Sequence, residues 1–171
     1  FTWWASYAWA RVREHVTRVE SQYGSIALDR SLPGRFDQRH TVYVDVNLRP
    51  TPAWHLNLAW QYRSGWPYTD LELRSAVGPE GRFYWSEWGP AQASRFPAFH
   101  RLDARLSRQF RLRGGRLDAY LEVVNLYDRG NVQAYNYWWV DDGFGGVRLK
   151  KVPDYWFRLL PSIGLSWSWG S

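Results

Sequence analysis

Hydrophobic residues fall on every second position through several stretches of this chain. Trp3, Ala5, Tyr7 and Trp9 alternate with Thr2, Trp4, Ser6 and Ala8, the least clean example. Val42, Val44, Val46 and Leu48 alternate with Thr41, Tyr43, Asp45 and Asn47, and Leu56, Leu58, Trp60 and Tyr62 with His55, Asn57, Ala59 and Gln61. The pattern returns in Leu102, Ala104 and Leu106 against Arg101, Asp103, Arg105 and Ser107, then in Leu117, Ala119, Leu121 and Val123 against Asp118, Tyr120 and Glu122. It is clearest at the end, where Tyr155, Phe157, Leu159, Ile163, Leu165, Trp167 and Trp169 share one parity and Ser162, Gly164, Ser166 and Ser168 hold the other. Side chains alternate across a strand, so a period of two predicts a strand with one greasy face, six strands in all. The small polar face of the last strand fits the wall of a water-filled barrel better than a soluble sandwich.

The connections between these strands alternate in length. Long ones run from about Glu14 to Arg35, Thr69 to Arg95 and Val140 to Pro153; short ones cover Pro50 to Trp54 and Arg113 to Arg116. Outer-membrane barrels have short periplasmic turns and long outer loops, which gives this rhythm and places the C-terminus in the periplasm. Ten residues at about 3.3 Å each, tilted near 45°, span roughly 23 Å, the height of the apolar band of such a barrel. Aromatics gather at two heights. Trp66, Tyr68, Phe96, Phe99, Tyr135, Tyr137, Trp138, Trp139, Tyr155, Trp156 and Phe157 fall toward the long connections, and Trp54, Phe110, Trp167 and Trp169 toward the short ones. Two headgroup-level girdles are the expected reading. The rival is a soluble carbohydrate-binding sandwich with a sugar-stacking platform.

Composition narrows the class further. The 171 residues include 13 Trp, and 19% are aromatic, more rings than an ordinary soluble core takes up. A mean hydropathy of -0.53 and the lack of an apolar run of about 18 residues exclude a membrane-spanning helix. Strands escape that exclusion, because only alternate residues meet lipid. The absence of Cys removes disulfides, thiol nucleophiles and Cys-based metal centres. The formal charge of +6 is spread along the chain without a nucleic-acid arm, and suits anionic lipid headgroups or an anionic solute. Six strands cannot close, since known barrels begin at about 8. With Phe1 as first residue and no Met, the expectation is one domain over residues 1–171, the C-terminal part of a larger barrel whose earlier strands are absent.

Four segments in this order resemble the last strands of TonB-dependent outer-membrane receptors. They are Pro33-Gly-Arg-Phe-Asp-Gln-Arg-His40, Tyr62-Arg-Ser-Gly-Trp-Pro-Tyr68, Phe96-Pro-Ala-Phe-His-Arg-Leu-Asp103 and Tyr120-Leu-Glu-Val-Val-Asn-Leu-Tyr-Asp128. The resemblance covers nearly the whole chain. It implies an all-β transmembrane antiparallel barrel of about 22 strands in a Gram-negative outer membrane, plugged by an N-terminal domain. It implies energy-coupled uptake of a scarce solute: an iron chelate, cobalamin, an oligosaccharide or similar. The implied partners are lipid and lipopolysaccharide, a TonB-type coupling protein reached through a missing N-terminal region, and the barrel-assembly machinery. That machinery would read the final strand, Leu165, Trp167 and Trp169. Members commonly end on an aromatic, whereas Gly170 and Ser171 follow here.

Candidate chemistry is sparse. No Ser/His/Asp order, nucleophile elbow or phosphate loop points to an enzyme, and no cofactor site is expected. His15, His40, His55 and His100 lack metal-ligand spacing, with His40 and His100 at like places at the outer starts of two strands. Asp141 and Asp142 before Gly143-Phe-Gly-Gly146 read as a turn in preference to a calcium loop. Arg101, Asp103, Arg105, Asp118 and Glu122 fall on the lumen face by parity, where cross-strand pairing, or contact with the missing plug, is the leading reading and a path for an anionic solute the second. Tyr84, Trp85, Tyr135, Tyr137, Trp138 and Trp139 are the expected solute contacts at aromatic loop tips. Besides the receptor, another outer-membrane channel or adhesin remains open, and no nucleic-acid partner is expected.

Overall fold

The computed structural model describes residues 1–21 and 24–169, with the side chains of 18–28 outside that description. Its regular structure is all strand. β1 (Thr2–Trp9) leads into β2 (Arg13–Ser21) and β3 (Gly24–Pro33), after which β4 (His40–Thr51) and β5 (Trp54–Arg63) follow. Then come β6 (Pro67–Tyr68), β7 (Leu71–Gly78), β8 (Gly81–Trp88) and β9 (Ser94–Arg95), and the long pair β10 (Phe99–Leu112) and β11 (Gly115–Val124). β12 (Val132–Asp141), β13 (Val147–Tyr155) and β14 (Leu160–Trp169) complete the chain. β1, β4, β5, β10, β11 and β14 form one antiparallel sheet in that order, open at β1 and at β14. The remaining strands pair two by two: β2 with β3, β6 with β9, β7 with β8, and β12 with β13.

The six predicted strands are thus the six of the sheet, but the start of the last strand and all three long connections differ. The long connections are hairpins with ladders of their own, and the tip of the first, residues 22–23, lies outside the described residues. The last predicted strand is broken. Tyr155 ends β13, and β14 begins only at Leu160, so Tyr155, Phe157 and Leu159 do not belong to the final strand. The cause is Arg158, which turns away to bond the Asp128 carboxylate at 2.9 and 2.8 Å, while the Leu159 N–H donates to the same group at 2.9 Å. Both short connections are tight turns. The turn at Arg113-Gly114 joins the paired Leu112 and Gly115, and requires a left-handed residue that Gly114 supplies at φ +97.

Directly opposed residues of antiparallel strands point to the same side. One row across the sheet reads Trp3, Val46, Leu58, Ala104, Val123, Pro161, and another reads Leu48, Leu56, Leu106, Leu121, Ile163. The row between them reads Thr2, Asn47, Asn57, Arg105, Glu122, Ser162. One face is therefore apolar from edge to edge and the other polar.

Among the described residues nothing covers the apolar face. Among the described residues no hydrophobic side chain is buried, and Ile163 and Leu165 are 82% and 75% exposed. The accessible surface is 12718 Å², against about 8,800 Å² for a compact monomer of this mass by the usual scaling. A single-layer sheet of this kind depends on an apolar medium or partner outside the chain.

One packing joint on the polar face is testable. Gly164 lies opposite Tyr120, and a Cβ at 164 would come within 2.3 Å of that ring. The Arg105 guanidinium stands 3.9 Å from the centre of the same ring. Gly164→Val displaces the ring and unseats Arg105, at about 1–3 kcal/mol. The measurement is the unfolding midpoint, which falls for Gly164→Val and partly recovers when Tyr120→Ala is added. An unchanged midpoint in the single variant means that the ring does not occupy this site.

Candidate functional site

Where the sheet strands leave their ladders for the hairpins, backbone groups lose their partners and must find others. The three buried polar side chains of the described residues, Asp37, Asn125 and Asn131, sit at this level. Asp37 accepts the Val12 N–H at 2.8 Å, is bonded by Arg95 and receives Arg39 Nε at 3.4 Å. Arg95 also donates to the carbonyls of Asp37 and Gly65, at 2.7 and 3.0 Å. Burial pushes the Asp37 carboxyl up, but the Val12 N–H and the Arg95 guanidinium outweigh it and hold the group below the usual carboxylate range. Asn131 continues β10 with a side chain, donating to the His100 carbonyl and accepting the His100 N–H, both at 3.0 Å. Asn125 takes a left-handed φ of 57, tolerable for Asn, and ties the carbonyls of Arg129 and Phe157 at 2.9 and 3.3 Å. Its own N–H donates to Asp103 at 2.9 Å.

A second cluster joins two hairpins. Asp70 accepts the Tyr137 hydroxyl at 2.5 Å and Lys151 Nζ at 2.6 Å, and Lys151 also bonds the Tyr68 hydroxyl. The ammonium lies 4.2 Å from the centre of the Tyr135 ring, which stacks on Phe96 at 5.4 Å. Burial pushes the Asp70 carboxyl up, yet Lys151 and Tyr137 together hold it below its ordinary value. Burial, with the bond to Asp70, pushes the Tyr137 hydroxyl up to about 12. Burial lowers the Lys151 ammonium, and its bonds to Asp70 and Tyr68 more than offset this, so it stays protonated.

Between this layer and the polar face lies a cavity of about 300 Å³. Trp66, Phe96, Phe99, Trp156 and Phe157 supply its rings, and Arg63, Arg101, Gln38, Gln61 and Gln133 its polar groups. Of its described lining residues none is acidic. Arg63 leans on the rings of Tyr43 and Phe99, each 5.7 Å away, and donates to the Tyr43 hydroxyl at 2.7 Å. Its Nε–H is buried without an acceptor, an omission that costs about 1–3 kcal/mol where it persists. Arg101 is neutralised by Asp103 at 2.9 Å.

The predicted residues divide accordingly. Arg101, Asp103, Arg105, Asp118 and Glu122 all lie on the polar face and are paired, but only Arg105 with Glu122, at 3.5 Å, pairs across strands as expected; Arg101 with Asp103, and Arg116 with Asp118 at 3.2 Å, pair along one strand, because residues two apart share a face. Leu165, Trp167 and Trp169 share the apolar face of β14, opposite Ala119, Leu117 and Gly115. Tyr84, Trp85, Tyr135, Tyr137, Trp138 and Trp139 are not at loop tips; they lie within β8 and β12. Tyr135 and Tyr137 are committed to the Lys151 cluster, while Trp138 and Trp139 remain 61% and 47% exposed. The upper girdle needs correction as well. The heights agree, but Phe99 pairs with Arg63 on the polar face, and Trp66, Phe96, Trp156 and Phe157 line the cavity. The aromatic row of the apolar face at this height is Tyr7, Trp60, Tyr62 and Tyr127, with His40 bonded to Tyr7 at 2.9 Å and His100 to Tyr127 at 2.8 Å. Asp141 and Asp142 spend carboxylate oxygens on the N–H groups of Gly143, Phe144 and Gly146.

Sequence reading missed Asp37, Asn125, Asn131, Arg63, Asp70 and Lys151. Three of them, Asp37, Arg63 and Asn125, lie inside the resembling segments; no spacing rule marks the others. No protein-family model, curated protein or solved structure matches this chain.

Two outcomes follow from the polar clusters. Asp70→Asn leaves Lys151 without its counter-charge and loosens the second hairpin from the third by about 1–3 kcal/mol; trypsin then cuts faster after Arg148, Lys150 and Lys151. Unchanged cutting means that the hairpins are not joined there. Because Asp37 and Asp70 are held low, the stability they add is complete above about pH 4 and is lost as pH falls through their lowered values. The near-ultraviolet circular dichroism of the aromatic cluster therefore stays flat from pH 8 to about pH 5 and declines only below about pH 4. A decline centred near pH 6.5 would assign the transition to histidine instead.

Proposed function

We propose that this chain is part of the wall of an outer-membrane β-barrel, and that the barrel is a TonB-dependent receptor that takes up a scarce solute. The observation that carries the wall is the uncovered apolar face, continuous over six strands and backed by an equally continuous polar one. Lipid is the apolar medium such a face requires, and the polar face then lines an aqueous lumen. Short turns at one end and hairpins at the other support the orientation, with Arg113-Gly114 periplasmic and the hairpins outside. Trp54, Phe110, Trp167 and Trp169 stand at the turn end, where Arg108 lies 4.8 Å from the Trp54 ring and 4.6 Å from Phe110. Rings with an arginine between them suit the headgroup level. The open edges at β1 and β14 are where further strands attach.

The receptor reading rests on the four resembling segments, whose residues meet in space. Asp37, Gly65 and Phe96 gather around Arg95 and Trp66, and Asp103 receives the backbone of Asn125. Capture by the hairpins and passage through the lumen when a plug moves is the mechanism that follows. Arg101, Arg105 and Arg116 are neutralised by carboxylates along this wall, whereas Arg63 at its upper end keeps its charge.

Two tests separate the parts of this reading. Leu58→Arg puts a charge at mid-height on the lipid face, worth about 2–4 kcal/mol against insertion, whereas Asn57→Arg points into the lumen. The native protein should need detergent and show heat-modifiable gel mobility, lost in Leu58→Arg and kept in Asn57→Arg. A soluble monomer, or equal tolerance of both changes, overturns the wall. A plug-like domain and coupling box encoded upstream support the receptor, while a signal peptide running straight into strands replaces it with a channel or adhesin.

A further inference from the structure

We infer that the cavity beneath the hairpins is a binding site for a flat conjugated anion of the aryl carboxylate class, held by Arg63 between aromatic walls. This rests on the polar face being a solvent-filled lumen, and it names the chemistry of the solute.

Its about 300 Å³ are at the small end of ligand sites, enough for one or two fused rings. Arg63 is the distinguishing residue. The Tyr43 and Phe99 rings flank its guanidinium, each centre 5.7 Å away, and its one side-chain hydrogen bond goes to a neutral hydroxyl, so no carboxylate neutralises its charge. It has no carboxylate partner among the described residues, although on the neighbouring strand Arg101, two ladder positions below, is matched by Asp103 and Arg105 by Glu122. Its Nε–H is buried and lacks an acceptor. The buried Nε–H lies out of a ligand's reach, but Nη1 makes no hydrogen bond and is accessible, so a planar carboxylate can meet the Nη1–Nη2 edge through two parallel bonds. The walls decide the rest of the ligand. Trp66, Phe96, Phe99 and Trp156 offer ring faces and edges, which reward a conjugated ring over a sugar or an aliphatic chain. The amides of Gln61 and Gln133 can donate to ring substituents, and the lack of acidic lining residues admits the anion without repulsion.

The test uses the native protein purified in detergent and calorimetric titration with 2-naphthoate, its neutral analogue 2-naphthalenemethanol, acetate and inorganic phosphate. We expect 2-naphthoate to bind at least tenfold more tightly than each of the others. Arg63→Gln should weaken it at least tenfold, and Arg111→Gln, at the turn end, should leave it unchanged. Equal affinity for the neutral analogue, phosphate binding as tight as naphthoate, or an unaffected Arg63→Gln overturns the site. Gel mobility is run on every sample. A heat-modifiable protein that ignores 2-naphthoate sinks this inference alone, whereas a protein soluble without detergent sinks the wall beneath it. If Arg63→Gln does not assemble, the comparison of naphthoate with its neutral analogue on the unaltered protein decides.

Discussion

The register of the six sheet strands is the constraint on which everything else depends. Each ladder sets apolar residues against apolar and polar against polar, and a slip of one residue in any strand would turn its whole apolar set to the wrong side. Five successive pairings agree in parity, from β1 to β14, and the agreement creates one apolar and one polar face. The described residues form no hydrophobic core, and without this agreement they would also lack an uninterrupted apolar surface. Stability is thus borrowed from the surroundings more than from internal packing, in contrast to a soluble domain of this size.

Such a sheet is weakest where its ladders stop. Backbone groups there are neither paired nor, in the proposed setting, freely hydrated, and the molecule answers with buried polar side chains. Asp37 with Arg95, Asn125 and Asn131 each replace missing backbone partners, and each ties segments more than twenty residues apart. The cavity is a by-product of the same layer. Its floor is the upper end of the polar face and its roof is the set of chain crossings that these side chains hold, so its shape follows from how the sheet ends.

The sheet was legible in the sequence because alternation is read one strand at a time, and because one face of every strand is apolar. The hairpins were not. β7 and β13 mix Glu, Arg and Lys with Leu and Val on strands wetted by solvent, which weakens the contrast that marks a strand. The break before β14 was hidden by its own parity: Tyr155, Phe157 and Leu159 continue the alternation of Ile163 and Leu165, and only the distant Asp128 reveals that Arg158 leaves the ladder. Among candidate site residues, sequence parity placed the five charged ones together on one face of the sheet, and the strand register gathers them there. Height along the chain said nothing about face, so Phe99 and Trp66 were assigned to a girdle when they line the cavity. Arg63 and Asp37 were unreadable, since each gains its meaning from partners in other segments.

Each long connection closes on itself as a ladder before it returns to the sheet. The β12–β13 hairpin, for example, runs from Val132 paired with Tyr155 to Asp141 paired with Val147, independently of the six-stranded wall. Such an arrangement separates inheritance of the scaffold from inheritance of its outer decoration. A hairpin could gain or lose paired residues at its tip during divergence while the anchoring amides and carboxylates below stayed in place. Related chains could then vary widely in their hairpins and still build the sheet by the same rules.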